Sequence, residues 1–380
     1  MSEAELIVEE ARLEELEDAW DTLAVANAEP ASGPAWMLGW WRHVAPAGAE
    51  LRVVAVHDHD ELIGIFPLCT EPAEPHRYRL LAHNFGCCVT PIAMPGCAWE
   101  TAELTGRILA TAEPRPGAIE LVPMPAVSPW VTALRERWPG RIRPIVYRTE
   151  FYTVPTISLH GRSFDAWVQG CRPHFRANMR RYWRRFGEAS GNARFSTAET
   201  MAADAETFVK LHAARGAGRG ASRYLTVAES LPAFLEGLAR DLLAAGRFRL
   251  LILEIDGEPI CAEFCIAGGG ETLDVSFGWD ERFKHLSPRT LSGYRMIEEA
   301  FSRGEDRFNL GRGLDDHKGS LADGADVSIS EVLLPCGPLL GSALARAAPR
   351  VARERVKQAL SEEETSSVRN LLRRVGLSPG

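Results

Sequence analysis

Two carboxylates stand in otherwise apolar segments of the C-terminal half of the chain. Glu263 lies within EPICAEFCI, and Asp274 lies within ETLDVSFGW. Burying a carboxylate costs free energy unless it is paired, and partial burial raises its pKa toward neutrality. A carboxylate with such a pKa suits proton removal from a reacting amine, so both residues are candidate general bases. The alternative is that each residue simply faces solvent on its strand.

Three further side chains in this half are candidates for proton transfer or charge neutralisation. Tyr294 could donate a proton to a leaving group, although an aromatic residue on a helix more often packs against a sheet. His317 has an ordinary pKa near neutrality, which suits a base, but most single histidines are neither bases nor ligands. Lys318 could neutralise an anionic substrate or transition state, or it could be an ordinary surface lysine.

A helix start in the same region predicts an anion-binding site. Ser is a good N-cap residue, and Pro fits the first helical position. The free N–H groups and the dipole of a helix start favour a phosphate group, to which a nearby Arg289 or Lys284 would add positive charge. The predicted diphosphate-binding residues are Ser287, Pro288, Arg289, Thr290 and Leu291. The alternative is an ordinary helix start without a ligand.

The strand before this helix ends at Phe277 and Gly278. A backbone N–H from the strand could stabilise an oxyanion that forms during a reaction. Gly278 would allow the substrate to approach the backbone closely. The alternative is a strand end that needs glycine for its own geometry.

A stripe of basic side chains precedes this region. Four arginines are spaced four residues apart, which places them on one face of a helix. They are Arg172, Arg176, Arg180 and Arg184, and Arg181 and Arg185 widen the stripe. One interpretation is a site for an acidic partner, such as a CoA phosphate, a polyanionic glycan precursor or tRNA. The other is a solvated helix face.

The bulk composition is that of an ordinary soluble globular protein. The chain has 380 residues, 46% hydrophobic and 25% charged, and a formal net charge of −8. This charge argues against a whole-surface nucleic-acid footprint. We expect a cytoplasmic protein with no membrane span, because no apolar run is long enough and the N-terminus is acidic and reads as helical. No paired cysteine spacing predicts a metal site, so we expect none.

The N-terminal half repeats the pattern of strand, acidic turn and strand. Segment 51–68 reads LRVVAVHDHDELIGIFPL, and segment 248–266 reads FRLLILEIDGEPICAEFCI. Trp36, Trp40 and Trp41 fit a buried helix face better than a sugar-binding surface. A duplication at this period is consistent with two similar halves.

The predicted elements around the candidate residues follow the order strand, strand, strand, helix, strand. The first two strands meet at Asp256 and Gly257, a pair that accepts the positive φ angles of a tight hairpin. The third strand covers 272–277, the helix runs from Pro288 to about Arg303, and the last strand covers 307–310. Acyl-CoA-dependent acetyltransferases have this order, although many α+β folds contain it.

The chain resembles the GNAT-type acetyltransferases of the CelD-like (BioF2-like) group, which are related in fold to the Fem peptidyltransferases. The likeness covers about residues 10–335 and depends on the order and spacing of many short segments. These are Trp36, 39–43 (GWWRH), 62–68 (LIGIFPL), 163–165 (SFD), 176–181 (RANMRR), 208–212 (FVKLH), 256–260 (DGEPI), 278–280 (GWD), 286–288 (LSP), and 309–313 (NLGRG) with Lys318. The group often has Ser-Pro-Gly where this chain has Ser287, Pro288 and Arg289, and often has an aromatic residue at His317.

The resemblance implies an α/β (α+β) fold with two tandem GNAT-like domains, each a mixed, mostly antiparallel sheet flanked by helices. We expect an N-terminal domain at 1–155, a C-terminal domain with the acyl-CoA site at 156–335, and a helical tail at 336–380. It also implies acetyl-CoA or another acyl-CoA as the donor and a small-molecule or sugar-linked amine as the acceptor.

Two other functions stay open. One is a Fem-like peptidyl transferase that uses aminoacyl-tRNA, which the arginine stripe favours and the acidic net charge disfavours. The other is a non-catalytic accessory protein of polysaccharide biosynthesis, which Arg289 in the phosphate-binding segment favours.

Overall fold

The computed structural model describes residues 2–216, 224, 227–313, 316–349 and 351–352. Fifteen strands lie within these residues. They are β1 (Ser2–Ile7), β2 (Glu50–Leu51), β3 (Val53–Asp58), β4 (Glu61–Phe66), β5 (Leu68–Glu71), β6 (Glu74–Leu80), β7 (Ile92–Ala93), β8 (Ala118–Pro125), β9 (Ile145–Ser158), β10 (Gly191–Phe195), β11 (Phe248–Ile255), β12 (Glu258–Gly268), β13 (Glu271–Trp279), β14 (Arg307–Asn309) and β15 (Gly324–Leu334).

Helices flank the sheets that these strands form. The α-helices are α1 (Glu10–Glu14), α2 (Glu17–Ala26), α3 (Pro34–His43), α4 (Ala98–Thr111), α5 (Trp130–Arg137), α6 (Phe164–Gly170), α7 (Pro173–Glu188), α8 (Met201–Gly216), α9 (Leu231–Leu242), α10 (Pro288–Ser302) and α11 (Asp316–Leu321). Among the described residues, 3-10 helices also cover Pro30–Ser32 and Glu281–Leu286. Residues 340–349 are also helical, and most of the predicted tail at 336–380 lies outside the described residues.

One sheet of eleven strands extends through both halves of the chain, in the order β10-β11-β12-β13-β14-β9-β15-β8-β6-β5-β2. Near the middle of this sheet, β15 from the C-terminal half lies between β9 and β8 and pairs antiparallel with both. The predicted boundary between residues 155 and 156 falls inside β9, which covers Ile145–Ser158. The two halves are therefore joined by main-chain hydrogen bonds at the middle of the sheet.

A second sheet, in the order β1-β3-β4-β7, belongs to the N-terminal half. The prediction of a helix at the extreme N-terminus is wrong for Ser2–Ile7, which forms β1 and pairs antiparallel with β3. Ala4 and Leu6 alternate there with Glu3 and Glu5, which is the two-residue period of a strand with one face on the core. The acidic composition hid this short alternation.

The two halves repeat one connection. In the C-terminal half, antiparallel β11, β12 and β13 are followed by α10 and by β14, which pairs parallel with β13. In the N-terminal half, α4 lies between β6 and β8, and these two strands again pair parallel to each other. Such a connection needs a crossover helix. The predicted fold class, a mixed α/β arrangement of mostly antiparallel sheets flanked by helices, is confirmed.

The aromatic side chains of α3 belong to the core, as the sequence predicts. Trp36 and Trp40 are fully buried, and Trp41 packs partly buried against the same cluster. The Trp36 ring meets Phe85 and Phe234, with ring centres 5.6 and 5.1 Å apart. No described helix has the length and apolar character needed to span a bilayer.

Candidate active site

The parallel strands β13 and β14 separate soon after they begin. Their pairing covers three residues of each strand and ends at Leu273 and Asn309. Beyond this point β13 continues to Trp279, so its edge no longer pairs with β14. We call the gap between the two strands beyond Leu273 the opening. A ligand can approach a strand edge that no neighbouring strand covers.

A β-bulge lies at the start of the opening. Cys265 pairs with Asp274 and Phe264 pairs with Ser276, so Val275 is an extra residue on β13. Bulges redirect the chain and are common beside active sites. The motif analysis of the sequence missed this feature, because nothing in the residue types around Val275 marks a bulge.

The direction of the backbone donors on β13 follows from one hydrogen bond. The Asp280 N–H donates to the Ile260 carbonyl on β12 at 2.9 Å. Because N–H groups alternate along an antiparallel strand, the N–H of Gly278 also points to β12, and that of Phe277 points away from it. The Phe277 carbonyl, on that same side, accepts a hydrogen bond from the His212 ring at 2.9 Å when Nδ1 carries the proton.

Gly278 is needed for packing against a helix. A Cβ at this position would lie 2.2 Å from the backbone nitrogen of His212 in α8. The glycine therefore lets α8 approach β13, and the space beside it is filled by protein. This corrects the expectation that Gly278 admits a substrate.

Glu263, Asp274 and Arg289 form a buried ion cluster, which we call the Arg289 cluster. Arg289 Nη1 lies 2.7 Å from Glu263 Oε1, and Arg289 Nη2 lies 2.6 Å from Asp274 Oδ2. The Ser292 hydroxyl donates to the second oxygen of Glu263. Arg289 thus points inward from the first turn of α10, whereas the sequence predicts a side chain that binds or crowds a phosphate group.

The cluster holds two carboxylates against one guanidinium. Burial raises the pKa of Glu263 to about 7, and the charge of Arg289 opposes this rise. Burial lowers the pKa of Arg289, but Asp274 and Glu263 outweigh that effect and raise it overall. A proton on Glu263 would make the cluster neutral.

Cys265 lies beside the two carboxylates, with ligand atoms of all three within 4.8 Å of one another. Such a group resembles a cation site. However, burial raises the pKa of Cys265 well above its ordinary value, so the thiol is protonated and is a poor ligand. The guanidinium already pairs with both carboxylates, and this arrangement gives no support to a metal.

The segment before α10 differs from a simple capped helix start. Ser287 has φ 56° and ψ 53°, the left-handed region, and its hydroxyl makes no capping bond. A hydrogen bond between Ser287 and the Tyr182 hydroxyl lowers the pKa of that tyrosine. The prediction of a side-chain N-cap at Ser287 is therefore wrong, although the helix begins at Pro288 as predicted. The left-handed backbone of Ser287 sets the direction in which the 3-10 helix Glu281–Leu286 leads into α10.

The arginine stripe lies beside this segment, because α7 packs against the 3-10 helix Glu281–Leu286. Arg176 is used structurally and donates to the backbone carbonyl of Cys171 at 3.0 Å. Exposed arginines of α7 include Arg180, Arg181, Arg184 and Arg185. Arg172, which precedes the helix, and Lys284 and His285 of the 281–287 segment are also exposed. The structure thus groups positive charge around the predicted phosphate-binding segment.

A cavity of about 800 Å³ lies at the opening and extends to residues of the N-terminal half. Asp274, Val275 and Phe277 line it from β13, and Lys318 lines it from α11. Lys318 Nζ donates to the Arg312 carbonyl at 2.9 Å. Of the four predicted catalytic residues, Asp274 and Lys318 therefore meet at one cavity.

The other two catalytic candidates do not line this cavity. Glu263 is fully buried in the Arg289 cluster. Tyr294 packs against Phe164 and Trp167, with ring centres 5.1 and 6.2 Å away, and burial raises its pKa to about 12. Neither is among the described residues that line the cavity. The side chain of His317 lies outside the described part of the structure.

The N-terminal half supplies cavity residues that sequence reasoning missed. Glu29 lines the cavity beside Ala28 and Pro30, and Cys87 and Cys88 line it from the segment before β7. In the sequence, Glu29 stands at the start of a break, EPASGP, that reads only as the end of a helix. No local signal indicates that this break contacts β13 and β14.

The comparison with known families agrees with this geometry. Residues 173–319 match the model of a family described as an acetyltransferase (GNAT) domain. The matched segment includes α7, the strands β10–β14, α10 and Lys318. No curated protein sequence matches the chain significantly. The C-terminal half is therefore similar to GNAT acetyltransferases, and its CelD-like subgroup stays a prediction.

Solved structures share the whole fold. FemX has 12% identity and a TM-score of 0.56, with 84% of this chain and 96% of that chain covered. The C-terminal domain (DUF2156) of a putative lysylphosphatidylglycerol synthetase from Agrobacterium fabrum has 10% identity, a TM-score of 0.54 and 88% and 96% coverage. A conserved protein of unknown function from Bacteroides thetaiotaomicron VPI-5482 has 11% identity, a TM-score of 0.51 and 84% and 97% coverage. At these identities the similarity concerns the fold alone.

Proposed function

We propose that this protein is an N-acyltransferase that moves an acetyl or other acyl group from acyl-CoA to an amine of a small-molecule or sugar-linked acceptor. The observation that carries the proposal is the opening between β13 and β14, with the Val275 bulge at its start and the cavity beside it. A thioester arm fits between two strands that have stopped pairing with each other, where the gap between them adjoins the cavity.

The backbone of β13 supplies the electrophilic contact in this proposal. The N–H of Phe277 points away from β12, toward the opening. A donor fixed in a strand stabilises the oxyanion that forms when an amine attacks the thioester carbon, and it needs no reorganisation during the reaction. Lys318, on the same cavity, adds positive charge. Its role, like those predicted for Glu263, Asp274 and Tyr294, remains a proposal.

The diphosphate of the donor is proposed to lie at the start of α10, near Ser287 and Thr290. The helix dipole and the exposed Lys284 and arginines of α7 favour an anion there. Arg289 does not crowd this surface, because its side chain is held inside by Glu263 and Asp274. This removes the sequence argument for a non-catalytic accessory protein.

Calorimetric titration with acetyl-CoA tests the proposal. We expect binding by the wild-type protein and at least a tenfold loss of affinity in Ser287→Glu, because the new carboxylate repels the diphosphate. Ser302→Glu, an exposed change at the other end of α10, is the matched control and should bind normally. Absence of binding at millimolar acetyl-CoA would refute the proposed donor.

A Fem-like aminoacyl-tRNA-dependent transferase is the second candidate, favoured by the exposed arginines of α7 beside the 281–287 segment. Contacts to RNA phosphates make affinity fall steeply with salt. Titration with aminoacyl-tRNA at two salt concentrations separates the two donors. A strong, salt-dependent affinity for this RNA together with no affinity for acetyl-CoA would favour the second candidate.

A further inference from the structure

One carboxylate at the cavity lacks the partners that its neighbours have. Around it, Arg307 forms ion pairs with Asp326 and Glu271, and the Asn309 side-chain amide donates to Glu271 at 2.8 Å. Within the described residues, the Glu29 carboxylate has no hydrogen bond or close ion pair. A partly buried carboxyl group without a partner either takes up a proton or pairs with a ligand of opposite charge.

The surroundings of Glu29 favour a positive ligand. Three charged groups act on the Glu29 carboxyl group: Glu271 of β13, Arg307 of β14 and Asp326 of β15. With all four ionised, three negative charges face one positive charge. Burial is the main cause that raises the pKa of Glu29 to about 8, and Glu271 adds to it. A bound cation would reverse that rise and let the carboxylate ionise.

The backbone fixes the position of Glu29. Ala28, the residue before it, has φ 53°, a left-handed conformation that costs a non-glycine residue about 1–2 kcal/mol. The hairpin turn between β12 and β13 packs against this segment. A Cβ on Gly269 would lie 2.1 Å from the Val25 carbonyl and 2.8 Å from the Ala28 Cα. This loop of the N-terminal half is thus seated on the strands that form the opening.

We propose that Glu29 receives the ammonium group of the acceptor and removes its proton, so that the N-terminal half supplies the acceptor-binding carboxylate of the transferase. This inference rests on the proposed function and assigns its acceptor class, a primary amine that arrives protonated. Glu29 is the better candidate for this task than Glu263 or Asp274, because Arg289 already holds those two carboxylates.

The proposed reaction proceeds as follows. The acceptor R-NH3+ gives one proton to the Glu29 carboxylate, and the neutral nitrogen attacks the thioester carbon. The C–N bond forms and the C–S bond breaks. The second nitrogen proton goes to the leaving thiolate, which departs as free CoA thiol, and Glu29 then loses its proton to water. The products are the amide, CoA and one proton.

Acetyl transfer from acetyl-CoA to n-butylamine, followed by thiol release, tests this step in the full chain. For the wild type, kcat/KM should rise with pH up to about 8, where Glu29 ionises. Above this pH, kcat/KM should stay constant until the pKa of the amine is reached and then fall. That pKa is about 10.4 if it matches the pKa of lysine. In Glu29→Gln only the free amine reacts, so kcat/KM should keep rising toward about 10.4. At pH 8 we expect kcat/KM of Glu29→Gln to be about 10²-fold below that of the wild type.

Three comparisons complete the test. With hydroxylamine, which is mostly neutral at pH 7, Glu29→Gln should lose less than about fivefold, since little proton removal is needed. Glu61→Gln, an exposed change on the hairpin of β3 and β4, should match the wild type throughout. Acetyl-CoA affinity should be equal in all three proteins.

The outcomes separate the two proposals. An active wild type with an unchanged pH profile in Glu29→Gln would overturn the role of Glu29 and leave the transferase function intact. A wild type that transfers acetyl groups to none of the amines would overturn both. The expected pattern, a changed profile with normal acetyl-CoA binding, supports a carboxylate that acts on the acceptor, because loss of folding would weaken donor binding as well.

Discussion

The guanidinium carbon of Arg289 lies 3.9 Å from the centre of the Phe277 ring. A cation over an aromatic face is attracted by the ring quadrupole. The contact joins the first turn of α10 to the edge of β13 at the opening. The proposed diphosphate and thioester contacts are therefore held in register by one buried side chain.

We expect Arg289→Met to destabilise the fold by about 3–5 kcal/mol, because it leaves the buried Glu263 and Asp274 without their cation. Urea unfolding measures the difference. Arg282→Met is the control: Arg282 is exposed and pairs with Asp280 at 2.6 Å, so its loss should leave the stability nearly unchanged. Equal effects of the two changes would show that the Arg289 cluster is not buried as described.

Glu263→Gln should reduce the pH dependence of stability. In the folded protein the pKa of Glu263 is about 7, and its ordinary value is 4.5. Between these two values the folded state holds more protons than the unfolded state, so stability falls as pH rises through this window. Removing the group should decrease this fall by on the order of 2 kcal/mol.

Melting temperatures at pH 5 and pH 8 measure this effect for Glu263→Gln, the wild type and Glu61→Gln. The exposed Glu61 variant should follow the wild type. A steeper decline with pH in Glu263→Gln would contradict the raised pKa.

The local elements of the C-terminal half could be predicted because their signals are local. Asp256 and Gly257 have φ 48° and 79°, which is the tight hairpin that this residue pair indicates. The helix predicted from Pro288 to about Arg303 is observed as Pro288–Ser302. Turn chemistry and a proline at the first helical position depend only on neighbouring residues.

The rest of the site depends on contacts between distant segments. Glu29 comes under the electrostatic influence of Glu271 and Arg307 only in the folded chain, where all three residues line one cavity. Arg289 reads as a surface side chain in the sequence, and only the approach of β12 and β13 gives it two buried carboxylates. Such long-range pairs leave no periodic signal in a single sequence.

Ala28→Gly should stabilise the protein by about 0.5–1 kcal/mol, because glycine accepts the left-handed backbone at φ 53° without steric cost. Ala19→Gly, an exposed change inside α2, should instead destabilise it by about 1 kcal/mol. Thermal unfolding distinguishes the two signs. If Ala28→Gly were as destabilising as Ala19→Gly, the strained position beside Glu29 would be disproved.

Gly278→Ala should destabilise the fold by about 2 kcal/mol or more, because the new methyl group would meet the backbone of α8, which cannot rotate away as a side chain can. The nearest atoms are the nitrogen and Cα of His212, at 2.2 and 2.5 Å. Gly187→Ala in α7, with nothing within 4 Å of its new methyl group, should be stabilising by about 0.5–1 kcal/mol. Urea unfolding measures both. If Gly278→Ala folded normally and lost only acetyl-CoA affinity, the glycine would be admitting a ligand, and the close packing of α8 on β13 would be incorrect.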